Sequence, residues 1–156
     1  MPFGMMIAMS FLWNTEFLAF YDENTLCGLI YLATIGCRSF IMFFAVDKTL
    51  RNKDYGSQIL EEVRKRHPKN KIIVSIEPCS DNQDKTDIKV RRRNFYLRNG
   101  YLETGYYMKL RGQAQEILVK NRVFNKSEFI RFFILYSNCT AIPKVWRIEQ
   151  KEVTHN

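Results

Sequence analysis

Short apolar runs separated by polar turns dominate the first half of the chain. Residues 16–21 and 25–34 are apolar runs on either side of Asp22-Glu23-Asn24, a turn signal, and together they predict a β-hairpin. Residues 39–46 form a third run in which apolar and polar residues hardly alternate, as is typical of a strand covered on both faces. The pattern therefore predicts three successive strands.

A helix and a further strand are predicted next. Three apolar residues within 57–66 recur at helical spacing, and His67-Pro68 ends the helix. Residues 71–76 are apolar enough for a buried strand. A strand, a helix and another strand of this length make a βαβ unit, so we expect the two strands to be parallel. The helical stripe consists of Ile59, Leu60 and Val63.

A second helix is predicted to start at a cap supplied by Thr86 or Asp87 and to run through Arg98. Asn99-Gly100 favours a left-handed turn that ends this helix. The last predicted helix lies further along the chain, and Ser127 is its predicted cap. Four aromatic residues recur there at helical spacing, which favours core packing over an exposed binding surface. They are Phe129, Phe132, Phe133 and Tyr136.

Residues 104–110 and 113–120, between the last two helices, predict a strand pair joined by a short turn. The tail, residues 137–156, has no pattern that chooses between strand, helix and loop. No internal repeat and no low-complexity linker interrupts the 156 residues. With 46% hydrophobic residues, the chain can bury one sizeable core, so we expect a single α/β domain.

The balance of 24 basic to 16 acidic residues gives a formal charge of +8, which favours an anionic partner. A phosphorylated cofactor, a nucleic acid and an acidic surface all fit this charge. The four cysteines are scattered, without a CxxC pair or histidines at metal-ligand spacing, so neither a zinc site nor a disulfide scaffold is indicated. Reduced thiols in a cytosol are the simpler interpretation.

Neither a leader peptide nor a membrane span is indicated. Residues 1–13 are apolar but lack a basic region and a small-residue cleavage site, and the apolar run 27–37 is too short to cross a bilayer. We therefore expect a soluble, cytoplasmic protein.

The segment with the clearest chemistry is residues 46–60, where an apolar strand runs into a short basic loop and then a helix. A loop at a helix start offers unpaired N–H groups, the positive end of the helix dipole and, here, flanking cations. The sequence therefore predicts a phosphate site there. Its candidate residues are Arg51, Asn52, Lys53, Asp54, Tyr55, Gly56 and Ser57.

Two motifs in this order of elements resemble the GNAT superfamily of acyl-CoA-dependent N-acetyltransferases. In that family the loop after the fourth strand follows the pattern Q/R-x-x-G-x-G/A, which falls here on residues 51–56. A later helix carries F-Y-x-x-x-G-F/Y. Either motif alone occurs by chance, but two in the right order are much stronger. The resemblance covers roughly residues 16–135, and the second motif falls on Phe95, Tyr96, Gly100 and Tyr101.

The resemblance implies a mixed, largely antiparallel twisted sheet with a central parallel strand pair, flanked by helices. It implies acetyl-CoA as the acyl donor, no metal, and direct transfer of the acetyl group to a primary amine in a ternary complex. The amine would belong to a small molecule or a protein. In the family, main-chain N–H groups of the splayed fourth strand hold the pantetheine and polarise the thioester carbonyl. The matching residues here are Phe44, Ala45 and Val46.

Further roles follow for individual side chains. The resemblance makes Tyr96 the candidate general acid for the departing thiolate, against the alternative that it only packs with Phe95. Glu77, at the end of the strand 71–76, is the candidate acceptor of the amine proton, against the alternative that it merely caps a turn. Lys89 and Arg93 are candidate contacts to the phosphates of CoA, against the alternative of a solvated helix face.

The sequence also departs from the family pattern. Asp54 stands at the first glycine position, where its charge would repel a pyrophosphate unless it points to solvent or pairs with Lys53. Lys89 stands about where many members have an asparagine that contacts pantetheine. Family members also carry a strand and helices before the hairpin, which are not apparent here. An uncovered aromatic surface would then favour a homodimer.

Two other functions fit the same residues. One is a catalytically silent CoA-binding module, suggested by Asp54. The other is a basic nucleic-acid-binding protein that uses the run Arg91-Arg92-Arg93 with Phe95 and Tyr96 as stacking rings.

Overall fold

A computed structural model describes residues 15–80, 82–110 and 112–148. Within these residues the chain forms one mixed sheet of seven strands in the order β1-β2-β3-β4-β6-β5-β7, with three α-helices packed on its faces. The strands are β1 (Thr15–Asp22), β2 (Thr25–Ile35), β3 (Arg38–Val46), β4 (Lys71–Ile76), β5 (Leu102–Lys109), β6 (Ala114–Lys120) and β7 (Lys144–Arg147). The helices are α1 (Tyr55–Arg66), α2 (Ile88–Arg98) and α3 (Lys126–Tyr136).

The first three strands form the predicted antiparallel meander. Strand β1 pairs with β2 and β2 pairs with β3, both antiparallel. Glu23 lies in the tight turn between β1 and β2 with a φ of 51°, the left-handed conformation that closes such turns. The prediction of three successive strands is confirmed, with each boundary within one residue.

The predicted parallel pair is also confirmed. Strand β4 lies beside β3 and runs in the same direction, and α1 forms the crossover between them. Every other pairing in the sheet is antiparallel. The fold is therefore the mixed, largely antiparallel sheet with a central parallel pair that the resemblance implied.

One face of the sheet carries α1 and α2. Residues Leu60 and Val63 of α1 and Tyr96 of α2 pack against alternate residues of the strands, such as Val74 and Leu118. Helix α1 begins at Tyr55, two residues before the predicted start, and buries the three apolar residues of its stripe. This face holds the core beneath the candidate site.

The opposite face carries α3, whose aromatic stripe is buried as predicted. Phe40 of β3 packs against three rings of α3, with centroid separations of 5.3 to 6.3 Å. Phe40 is only 4% exposed. Phe40 is therefore covered by α3, as expected of a strand predicted to be covered on both faces. The three rings belong to Phe129, Phe132 and Phe133.

Two local predictions need correction. The cap of α3 is Asn125, whose side chain accepts a hydrogen bond from the main-chain N–H of Glu128, whereas Ser127 lies inside the first turn. The tail contains a strand, β7, which pairs with β5 at the sheet edge. Strand β3 is fully buried only at residues 39–41, so its second half is less covered than predicted.

Residues 1–14 and 149–156 lie outside the described residues, as do Asp81 and Arg111. The predictions for the front segment and for the last part of the tail fall there. None of the helices in the described ranges is long and apolar enough to cross a bilayer. All four cysteines are free thiols.

Candidate active site

The site begins where β3 and β4 separate. The two strands are joined by four residue pairs, from Arg38 with Lys71 to Ile41 with Val74. Beyond Ile41, residues 42–46 have no partner on the β4 side among the described residues. Their main-chain N–H and C=O groups on that side can therefore bond a ligand.

A bulge accompanies this separation. Tyr31 of β2 pairs with Phe43, while the next residue, Leu32, pairs with Ile41. Met42 is therefore an extra residue in β3, and such bulges bend a strand and redirect its peptide groups. The predicted cofactor residues Phe44, Ala45 and Val46 lie just beyond the bulge, along the opening.

The loop after β3 is held by local bonds. The Asp47 carboxylate accepts hydrogen bonds from the main-chain N–H of Thr49, at 2.7 Å, and from its hydroxyl, at 2.5 Å. These two bonds hold the pKa of Asp47 below its usual value. A single 3₁₀ turn at residues 48–50 follows, and then Asn52 and Asp54 adopt left-handed φ angles of 70° and 64°. Asp54 thus takes the conformation that a glycine would supply at its position.

The first turn of α1 is left open. Asp54 is the N-cap of α1, but its side chain makes no capping hydrogen bond. Among the described residues, none accepts a hydrogen bond from the N–H groups of Tyr55, Gly56 or Ser57. By contrast, α2 and α3 are capped by their own Asp87 and Asn125 side chains. The free N–H groups of α1 and its dipole make this the candidate anion site.

The surrounding charges are mixed. The side chains of Lys48, Arg51 and Lys53 are exposed around the loop and provide positive charge, while the exposed Asp54 provides a negative one. Tyr55 does not point into the loop, because its hydroxyl donates a 2.5 Å hydrogen bond to Asp22. That bond raises the pKa of Tyr55 and fixes the start of α1 to the β1–β2 turn. Tyr55 therefore contributes its main-chain N–H rather than its side chain.

The ring of Phe95 packs between the end of β3 and the first turn of α1. Its ring lies 6.1 Å from that of Phe44 and 5.3 Å from that of Tyr96. A Cβ placed on Gly56 would approach the same ring to 3.0 Å, so a larger residue at position 56 would push Phe95 aside. The predicted loop and the predicted F-Y helix therefore meet at one contact.

Tyr96 is buried beside the β4 end of the opening. It is 5% exposed and belongs to the same cluster as Ile76, the last residue of β4. Its hydroxyl makes no hydrogen bond with another described residue. Burial raises the pKa of Tyr96 to about 12. The phenol is therefore protonated at neutral pH and has a proton to donate.

Glu77 directly follows β4 and is half-buried. Its carboxylate forms neither a hydrogen bond nor an ion pair with another described residue. It is therefore not held by the turn-capping bond that would account for it structurally. Whether it accepts a proton stays a prediction.

The two basic candidates on α2 lie in different settings. The Arg93 guanidinium forms an ion pair with Glu103 of β5, with its Nε 2.6 Å from Oε1. Lys89 is half-buried in the first turn of α2, and no described residue pairs with its ammonium. Glu103 is thus one partner of Arg93, and a phosphate contact from either residue stays a prediction.

The sequence patterns did not single out Glu116, a carboxylate only 5% exposed. It lies in β6 directly opposite Ile76 of β4 and Tyr107 of β5. In sequence, one acidic residue in a strand is expected to face solvent, so its burial becomes visible only from the order of the strands. No group of three or more metal-ligating side chains occurs in the part of the chain that the structure describes.

Comparisons with known proteins agree with this geometry. The family model of the acetyltransferase (GNAT) domain matches residues 13–103. No curated protein matches the sequence. Among solved structures, a putative GNAT-family acetyltransferase from Bacteroides thetaiotaomicron has a TM-score of 0.61 and 24% identity, covering 79% of this chain and 73% of its own.

Two ligand-bound structures have the same fold. A GNAT family acetyltransferase from Elizabethkingia anophelis with acetyl-CoA bound has a TM-score of 0.58 and 14% identity, covering 78% of this chain and 84% of its own. The PaiA N-acetyltransferase from Thermoplasma acidophilum, in complex with coenzyme A, has a TM-score of 0.54 and 16% identity, covering 74% of this chain and 66% of its own. On the family-model match, which spans more than half of its length, this chain belongs to the GNAT acetyltransferase family.

Proposed function

We propose that this protein is an N-acetyltransferase that transfers the acetyl group of acetyl-CoA to a primary amine by direct attack in a ternary complex. The observation that carries the proposal is the separation of β3 and β4 next to the open first turn of α1. This arrangement offers one set of N–H groups for a pyrophosphate and another for a thioester arm. The two sets lie at the two ends of one loop.

Binding follows from the main chain. The diphosphate of the cofactor lies on the N–H groups of Tyr55, Gly56 and Ser57, with Lys48, Arg51 and Lys53 nearby. The pantetheine arm runs along residues 44–46 and bonds to the unpaired edge of β3. Main-chain donors there stabilise the oxyanion that develops when the thioester is attacked.

Two side chains at the β4 end of the opening, Glu77 and Tyr96, carry out the proton transfers. The amine nitrogen attacks the thioester carbon, so a C–N bond forms and the C–S bond breaks. Glu77 takes the proton that leaves the amine, directly or through water. Tyr96 donates its proton to the departing thiolate of CoA.

The test is a thermal-shift measurement with acetyl-CoA followed by thiol release over a panel of amines. Binding to the folded protein raises the midpoint of unfolding with ligand concentration. We expect a shift with both CoA and acetyl-CoA, and thiol release that depends on an added amine. No shift at millimolar cofactor would refute the proposal.

A second candidate is a CoA-binding module without catalysis. The exposed carboxylate of Asp54 beside the open first turn of α1 favours it, because that charge weakens cofactor binding. This candidate predicts stabilisation by CoA without thiol release from any amine. Nucleic-acid binding gains less support, since Tyr96 is buried and Phe95 packs on Phe44.

We further propose a cytoplasmic, single-domain protein that acts as a homodimer. Free thiols at all four cysteines are consistent with a reducing compartment. The homodimer rests on the partly exposed second half of β3, where Phe43 is 43% exposed. Sedimentation of the protein at micromolar concentration decides this, and a single monomer peak would contradict it.

A further inference from the structure

One face of α2 borders the opening between β3 and β4. Residues three and four apart in an α-helix project to the same side. Phe95 packs on Phe44 of β3, and Tyr96 belongs to the core cluster that contains the end of β4. This face of α2 therefore reaches both sides of the opening, and we call it the inner face. Its members are Arg92, Phe95, Tyr96 and Asn99.

The inner face reaches solvent at Arg92. Tyr96 is 5% exposed, and Phe95 and Asn99 are half-buried, whereas Arg92, one turn closer to the helix start, is exposed. Cβ atoms four residues apart in a helix are roughly 6 Å from each other, and long side chains lean toward the N-terminus. The ring of Tyr96 therefore leans toward Arg92, which lies on its solvent side.

The charge of Arg92 is not balanced by a carboxylate in the part of the chain that the structure describes. Each of the three cations at the end of α1 forms an ion pair, and Arg93 of α2 pairs with Glu103. Arg92 has neither a hydrogen bond nor an ion pair with another described residue. Helix α2 itself contains no acidic residue. A free guanidinium beside the opening attracts negative charge that develops there.

The electrostatics of Tyr96 agree with this placement. Burial raises the pKa of Tyr96 to about 12, and the positive charge of Arg92 opposes that rise. The cation closest to Tyr96 along the inner face is therefore also one that acts on its hydroxyl. The other ionisable groups near this end of the opening are Glu77 and Cys79 after β4, Glu116 in β6, Tyr101, whose ring contacts that of Tyr96, and Lys89, two turns earlier in α2.

We propose that Arg92 stabilises the negative charge on the sulfur of CoA as the thioester breaks, next to the proton that Tyr96 supplies. This inference rests on the proposed function, which assigns Tyr96 to the departing thiolate. When the C–S bond breaks, its electron pair stays on sulfur, which takes the proton of Tyr96. The phenolate that remains regains a proton from water. A guanidinium keeps its own protons in proteins, so the role of Arg92 is electrostatic in both stages.

The ionisation of bound CoA tests this without catalysis. A thiolate absorbs ultraviolet light, so a pH titration of the complex gives the pH at which half of the bound thiol is ionised. The complex with desulfo-CoA is the blank, because the cysteines of the protein are free thiols as well. We expect this pH to be higher by about 1 in Arg92→Gln than in the wild type, as for the loss of a nearby opposite charge.

Two further variants control this titration. Arg91→Gln removes the same charge from the neighbouring residue, which is exposed but does not belong to the inner face, and should leave the ionisation of bound CoA unchanged. Arg92→Lys keeps the charge and should give a value close to that of the wild type.

Turnover gives a second measurement. With saturating acetyl-CoA, we expect kcat of Arg92→Gln to fall by about tenfold or more, as for a lost charge-assisted contact, and Arg92→Lys to recover most of it. The Kd for acetyl-CoA should stay close to that of Arg91→Gln, because the intact thioester carries no charge at sulfur. The expected titration result without thiol release from any amine would refute the proposed catalysis and retain the contact of Arg92 with the sulfur.

Other outcomes overturn the inference. Equal ionisation of bound CoA in the wild type and Arg92→Gln would do so, as would an equal change in Arg91→Gln, which would show a general effect of positive charge. A wild type that does not bind CoA would overturn the inference together with the proposed function. Circular dichroism checks that the variants fold, and Arg92→Ala, with its better helix propensity, replaces Arg92→Gln if that variant does not.

Discussion

Two residues of the site have their side chains in opposite environments. Asp54 is exposed, with its main chain in the left-handed region, and Tyr96 is buried with its hydroxyl unbonded within the described residues. The carboxylate of Asp54 opposes the binding of an anion, whereas the protonated phenol of Tyr96 can supply a proton to one. On the proposed function, we expect Asp54 to affect cofactor affinity and Tyr96 to affect turnover.

Replacing Asp54 should strengthen cofactor binding. Asp54→Asn keeps a side chain that tolerates a φ of 64° and removes the charge, so we expect the Kd for CoA to fall by about fivefold, as for the loss of a repulsion of roughly 1 kcal/mol. Isothermal titration at low salt measures this. Glu62→Gln removes a carboxylate in an exposed pair with Lys65, outside the loop, and should leave Kd nearly unaltered. An equal Kd for Asp54→Asn and the wild type would show that this carboxylate points away from the phosphates.

Replacing Tyr96 should affect catalysis rather than binding. Tyr96→Phe keeps the packing against Phe95 and Tyr101 and removes the donated proton, so we expect kcat to fall by about 10²-fold or more with the Kd for acetyl-CoA retained. Because the pKa of Tyr96 is about 12, wild-type activity should not decline between pH 7 and 10 through loss of this acid. Unchanged turnover in the variant would remove Tyr96 from the mechanism.

At the scale of elements, patterns within one segment were predictable and contacts between segments were not. Hydrophobic periodicity placed six of the seven strands and two of the three helices that the structure describes, and cap and stop signals placed α2. Strand β7 was missed because it has four residues and follows Pro143 without a hairpin turn. The cap of α3 was misplaced by two residues, since Asn125 and Ser127 are both residues that cap helices well.

The same distinction applies to the site. The phosphate loop and the F-Y helix are local motifs, so the first could be found from its own residues and the second from the resemblance to the family. The partner of Arg93 is Glu103 of β5, and the burial of Glu116 depends on β6 lying between β4 and β5. Neither follows from the residues next to them in sequence. Charge runs and single acidic residues therefore needed the strand order before they could be interpreted.

Helix α3 is tied to the sheet by one carboxylate as well as by its aromatic stripe. Oε2 of Glu128 lies 3.2 Å from Nε of Arg38 and 3.0 Å from Nζ of Lys71, at the starts of β3 and β4. These two hydrogen bonds, Arg38 first, lower the pKa of Glu128 to about 2. A carboxyl whose pKa is lowered in the folded state stabilises the protein above its unfolded pKa and loses that effect as pH falls toward the folded value.

We therefore expect part of the acid sensitivity of the protein to depend on Glu128. The melting temperature of the wild type should fall as pH decreases from about 4.5 toward 2, and that of Glu128→Gln should fall less while starting lower at pH 7. Glu62→Gln, in an exposed pair with Lys65, is the control and should follow the wild type. Parallel curves for Glu128→Gln and the wild type would contradict this role.

For the whole molecule, buried tyrosine hydroxyls limit the stability of the folded state at high pH. Burial raises the pKa values of Tyr96, Tyr101 and Tyr136 above that of an exposed tyrosine, and the three lie in the two cores on opposite faces of the sheet. When a pKa is raised by folding, the unfolded state loses its proton first, so stability declines as pH rises past the unfolded value. Both cores should therefore weaken together under alkaline conditions.

The expected result is a free energy of unfolding that is steady from pH 7 to 9 and falls between about pH 10 and 12. Urea unfolding followed by circular dichroism measures it, and Tyr96→Phe should reduce the slope. A free energy that does not change up to pH 12 would show that these phenols reach water in the native state.

Strands β3 and β4 are joined by four residue pairs, so the sheet consists of two parts, β1–β3 and β4–β7, with a short connection between them. A molecule bound in the opening would contact both parts beyond these four pairs and hold them together. Once that molecule is bound, the amide hydrogens of β3 and β4 that border the opening should exchange more slowly with deuterium, although no strand has been added to the sheet. On the proposed function, the bound acyl donor is thus expected to help support the site that receives its acceptor.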